Sequence, residues 1–163
     1  MKKFICALCI TLAALSFTSC SRGEFKDGVA CKDVGTSITD TLDDGKEYLE
    51  YDDTHRELYF EDSEHYDDHY LAYSSDTSDI NEFGVFHAPN SDHAEDIYED
   101  CLEYVEDMKE NSRSFIASYA PDEIPKLDGA TVRRYGNYVV YTILPKEKAN
   151  DIFSKIEESL KKG

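Results

Sequence analysis

A block of sequence that occurs twice at a constant spacing is the strongest constraint on the fold. Val85-Phe86 recurs as Val140-Tyr141. Ala94, Asp96, Ile97, Tyr98, Cys101 and Val105 recur in step as Ala149, Asp151, Ile152, Phe153, Ile156 and Leu160. In each copy two short β-rich runs precede an amphipathic helix. The first copy has Tyr70–Tyr73 and Glu82–His87, joined by a polar connection, then a helix expected from Ser91 as N-cap to about Tyr119. Its apolar stripe is Ile97, Cys101, Val105 and Met108, continued by Phe115, Ile116 and Tyr119. The second copy has Ala130–Arg134 and Tyr138–Leu144 around the turn pair Gly136-Asn137, then a helix over Lys146–Lys161. Two strand–strand–helix units can pool their strands into one sheet and pack both helices against it. The expected fold class is therefore α+β: a two-layer sandwich with a four-stranded antiparallel sheet and the helices on one face. Val34, Ile38 and Leu42 at helical spacing add an N-terminal helix over Asp33–Leu42.

The first residues carry a different kind of information. Lys2 and Lys3 precede an uncharged, mostly apolar run from Phe4 to Phe17, too short to span a bilayer and suited to a signal-peptide core. Phe17-Thr18-Ser19-Cys20 follows, with small side chains beside the scissile bond and a thiol to receive lipid. The expected organisation is a lipoprotein signal peptide over 1–19, a lipidated Cys20 with a tether to residue 30, and one acidic domain over 31–163. Multiple acyl chains on Cys20 give stable membrane anchoring, so membrane lipid is the expected first partner and the extracytoplasmic face of a bacterial cell membrane the expected location.

Charge narrows the other partners. The chain has 35 Asp and Glu against 17 Lys and Arg, a net charge of −18. Losing Lys2 and Lys3 with the signal makes the remainder more acidic still. Such a surface repels nucleic acid, leaving a basic protein surface or a small molecule as the unassigned partner. Of the five cysteines, Cys6 and Cys9 leave with the signal and Cys20 carries lipid. Cys31 and Cys101 remain as one possible disulfide, in a compartment that permits it.

All five histidines fall between His55 and His93, amid dense acid. If this stretch is helical, His65, Asp68 and His69 share a face at a spacing suited to a borderline cation. If it extends into the Tyr70 strand, the two histidines still share a face but stand too far apart for one ion. This makes a metal-binding protein the first alternative to a non-catalytic binding domain, with an envelope enzyme the second. The chain lacks Gly-x-Ser-x-Gly, a phosphate-cradling loop and a dinucleotide fingerprint, so no enzyme activity, catalytic residue or cofactor is assigned. Tyrosine is abundant, with twelve against eight Phe and no Trp. Tyr59, Tyr66 and Tyr70 lie in the acidic half, where tyrosines suit a recognition surface.

In order and spacing, several features match a known group. They are the Cys20 motif, the strand around Tyr70–Ser75, Asn81-Glu82-Phe83-Gly84-Val85-Phe86, Tyr119-Ala120-Pro121-Asp122-Glu123 and Gly136-Asn137-Tyr138-Val139. From about Leu49 to Leu160 the chain resembles the bacterial lipoproteins grouped as domain-of-unknown-function family 4358. The resemblance implies an envelope location and a shared architecture, and no catalytic residue.

Overall fold

A computed structural model describes residues 24–60 and 65–162. The expected signal peptide and Cys20 lie outside the described residues. In chain order the elements are α1 (Cys31–Leu42), β1 (Tyr48–Glu50), α2 (Asp53–Tyr59), β2 (Asp68–Ser74), β3 (Glu82–His87), α3 (Ser91–Asp107), α4 (Arg113–Tyr119), α5 (Ile124–Asp128), β4 (Thr131–Tyr135), β5 (Tyr138–Ile143) and α6 (Lys146–Leu160). One antiparallel sheet has the order β1-β2-β3-β5-β4. The two repeated hairpins meet at its centre, where Val85 faces Val140 and Phe86 faces Val139.

The fold is α+β, with two corrections to the expected sandwich. The sheet has five strands, because Tyr48–Glu50 pairs with the outer edge of β2. The helices lie on both faces. On the lower face α1 and α6 pack over Phe83, Val85, Tyr138 and Val140. On the upper face α3 packs over Leu71, Phe86, Val139 and Tyr141. The sequence carried this signal: β5 reads Tyr-Val-Val-Tyr-Thr-Ile and is buried throughout. A strand apolar on alternate and intervening positions alike needs cover on both sides.

The long helix after β3 is interrupted by a π-helical turn at Met108–Ser112, and its N-cap is Asn90, whose side chain accepts from the Asp92 and His93 amides. One extra residue in a turn rotates everything beyond it. Ile116 therefore turns inward, while Phe115 (64% exposed) and Tyr119 (77%) point out, against the inward positions their spacing suggested.

Residues 24–30 are docked rather than a tether. Phe25 forms a bridge with Lys161 and meets the Tyr135 ring edge-on at 5.7 Å. The Lys26 amide donates to the Leu160 carbonyl, and the Lys162 amide donates to that of Glu24. The Gly28 and Val29 amides both donate to the Tyr138 hydroxyl, which donates in turn to the Val29 carbonyl at 2.7 Å.

Candidate functional site

Glu82 opens β3 on the upper face and is only 6% exposed. A buried carboxylate is costly unless hydrogen-bonded. Here three phenols serve it: Tyr104 donates to one oxygen at 2.6 Å, Tyr141 to the same oxygen at 2.8 Å, and Tyr51 to the other at 2.9 Å. Burial first, and the Glu82 charge second, push the ionisation of all three tyrosines upward, so they stay protonated donors. The three rings come from the residue just after β1, the last turn of α3 and the centre of β5. Glu82 thus ties the sheet edge, its centre and the upper helix to one point.

Two neighbours of Glu82 explain the rest of its motif. Gly84 lies directly opposite Tyr141, and a Cβ there would stand 2.2 Å from Tyr141 Cε1. Only glycine leaves room for the ring to lie flat across the strand and reach Glu82. Asn81 donates to the Tyr48 hydroxyl at 2.9 Å, which donates to Asp44 at the same distance. Beside it, Asp79 is held well below the usual carboxylate range. Burial opposes this, but Lys126, Lys46 and the Asn81 amide overcome it.

Above this hub sits α2, a two-turn helix with no buried residue, capped by Asp52 through the His55 amide. It is held by rings. His55 stacks on Tyr51 with centroids 3.6 Å apart, and Tyr59 meets Tyr104 edge-on at 5.2 Å. Burial lowers the His55 pKa, against the raising effects of Glu82 and Asp52.

Between α2 and the C-terminal half of α3 runs an open cleft of about 360 Å³. Leu58 (67% exposed), Tyr59 (51%) and Phe60 line it from α2 and its end, and Asp100, Glu103, Tyr104 and Asp107 from α3. Asp96 continues the acidic row by another turn; the spacing of four, three and four keeps all four acids on one stripe of the helix. α3 holds eight acids and no Lys or Arg.

The residues singled out by sequence are scattered. His65 lies 4.0 Å from Asp96 and 3.9 Å from Asp100 on the upper face. Asp68 is on the lower face, where it accepts from the Cys31 amide at 2.7 Å. His69 packs edge-on against Tyr66, with its pKa lowered by burial and then by Arg56. The expected His65, Asp68 and His69 set does not converge, because alternation along β2 sends Asp68 and His69 to opposite faces. Among the described residues, no group of three or more His, Cys, Asp or Glu side chains is arranged to hold a metal ion.

Tyr59, Tyr66 and Tyr70 likewise form no single patch. Tyr59 lines the cleft. Tyr66 is half-buried against Phe86, donating to the Phe60 carbonyl and accepting from Arg56. Tyr70 packs on the lower face over Gly35. The possible disulfide is not formed: Cys31 and Cys101 are both buried free thiols, one below the sheet and one above it. Burial pushes both thiols upward, away from reactivity. What sequence reasoning missed is Glu82; its signal was a charged residue opening an otherwise apolar, doubly buried strand.

A family model described as "Domain of unknown function (DUF4358)" matches residues 41–144, more than half of the chain. The chain belongs to this family. The match contains all five strands, α2, the Glu82 hub and the acidic cleft, but stops before α6 and reaches only the end of α1. It thus begins earlier and ends earlier than the resemblance read from the sequence. No curated protein and no solved structure matches the chain.

Proposed function

We propose that the protein is a lipid-anchored, extracytoplasmic binding protein of a bacterial envelope, whose α2–α3 cleft takes a basic segment of a partner protein without catalysing a reaction on it. The observation that carries this reading is the cleft itself, with exposed Leu58 and Tyr59 beside Asp100, Glu103 and Asp107, and Asp96 one turn further along α3 next to His65. Aromatic and aliphatic surface opposite carboxylates suits Lys or Arg side chains, which bring an apolar stem and a cationic head. From Asp100 to Asp107 the row along the cleft spans about 11 Å of helix, longer than one ammonium group and matched to a few residues of an extended peptide. The anchoring half of the proposal rests on the Phe17-Thr18-Ser19-Cys20 motif.

A lysine-rich peptide titrated against the full chain tests the cleft. Glu103→Gln with Asp107→Asn is expected to weaken binding several-fold, as is Leu58→Ala with Tyr59→Ala. Asp151→Asn with Glu158→Gln on α6 removes the same charge elsewhere and is expected to leave binding unchanged. Equal losses from both charge pairs would reduce the effect to general attraction by an acidic protein and sink the assignment to the cleft. Intact mass of the mature protein tests the anchor: a diacylglyceryl group on Cys20 is expected, and an unmodified Cys20 would end that part of the proposal.

A further inference from the structure

The anchor and the docked segment together fix which end of the domain meets the membrane. Only residues 21–23 separate Cys20 from Glu24, which the Lys162 amide already holds. Four Cα–Cα steps reach at most about 15 Å, less than the width of the domain. The point of attachment is a definite end of the sheet. There the Gly136-Asn137 turn, the ends of β3 and α6 and the start of α3 gather: Asn137 accepts from the Ala88 amide, and Phe25, Asn90, Gly136 and Lys162 line a common hollow. At the opposite end lie the β2–β3 connection, the Asp79 ion cluster and α5, joined by the Ile80 amide donating to Glu123. α3 begins at the first end and runs about 25 Å toward the second, carrying the cleft on its far half.

We infer that the anchored protein stands end-on against the lipid surface, with Phe25, Lys26, Asn137, Lys161 and Lys162 at the membrane and the α2–α3 cleft held away from it. This rests on the proposed lipidation of Cys20 and adds an orientation to it. Charge favours the same pose. Lys26, Lys161 and Lys162 at the attached end offset Glu24, Asp27 and Glu157 beside them and leave it near neutral, whereas laying the upper face down would press the uncompensated acidic row of α3 onto anionic headgroups. A long linker would allow any pose; hydrogen bonds from Lys26 to Leu160 and from Gly28 and Val29 to Tyr138 remove that slack.

The test uses the full lipidated protein in vesicles containing an anionic lipid and a headgroup-attached energy acceptor. Single dye-labelled cysteines are placed at Lys162→Cys, beside the docked segment, and Thr77→Cys, exposed on the β2–β3 connection. Cys31 and Cys101 are buried and stay unlabelled in the folded protein. Energy transfer several-fold greater from Lys162→Cys than from Thr77→Cys is expected. Equal transfer in protein whose mass confirms lipid on Cys20 would overturn the orientation while leaving the anchor intact. An unlipidated Cys20 would overturn both, and the mass measurement tells the two failures apart.

Discussion

Below the sheet, α1 and α6 close over a layer of Val34, Ile38, Val85, Val140, Phe153 and Ile156, where the Tyr135 and Tyr138 hydroxyls donate to backbone carbonyls. Above it, α3 closes over Leu71, Phe86, Val139 and Cys101, and one buried carboxylate takes hydrogen bonds from three tyrosines. The strands of the two units keep their faces in register: Val85 and Val140 both point down, Phe86 and Tyr141 both up. The helices that follow them part company. α6 goes down and carries three lysines with four acids; α3 goes up and carries eight acids and no Lys or Arg. The two strand–strand–helix units thus differ, one helix closing a largely apolar core and the other lying beside a polar hub and an open cleft. The family match covers the second of these more fully than the first.

Truncation in the largely apolar layer should have the largest effect. Phe153→Ala removes a buried ring and is expected to cost about 3–5 kcal/mol in denaturant unfolding. On the upper face, Glu82→Ala strands two buried phenols and a half-buried one and is expected to cost about 3 kcal/mol. A Glu82→Ala loss no greater than a surface substitution would erase the distinction between the faces. Gly84→Ala, which forces the Tyr141 ring aside, is expected to cost about 1–3 kcal/mol.

Two smaller effects separate hub from rim. Asp79 has a folded pKa below its unfolded one, so it stabilises the native state above about pH 4 and that contribution fades as pH falls further. Asp79→Asn should flatten the acid limb of a melting-temperature profile; an unchanged acid limb would remove Asp79 from the account. Leu58→Ala, on the exposed wall of the cleft, should shift stability by no more than about 0.5 kcal/mol, and Tyr59→Ala, which loses its ring contact with Tyr104, by about 0.5–1.5 kcal/mol. A large loss from either would make α2 part of the core rather than a wall of the cleft.

The strands, the two long helices and the Gly136-Asn137 turn were legible in sequence because each rests on local periodicity or turn chemistry. The face taken by each helix was not, since connections of similar length lead from β3 and β5 in opposite directions. β1 was missed because three residues are too few to show alternation. The cleft depended on long-range packing: Tyr59, among the tyrosines singled out, lines it, but its acidic partners lie some forty residues away on α3. Spacing alone placed His65, Asp68 and His69 together, and a strand where a helix was supposed pulled them apart.

Gly84 and Tyr141 have a bearing on inheritance. A ring that occupies the space of its neighbour's missing side chain makes the two positions a single unit of variation. Either can be lost only with the other, or at the expense of Glu82's partners. Lineages that keep the ring should keep the glycine, and those that enlarge the glycine should be found to have shed the ring and rebuilt the carboxylate's surroundings.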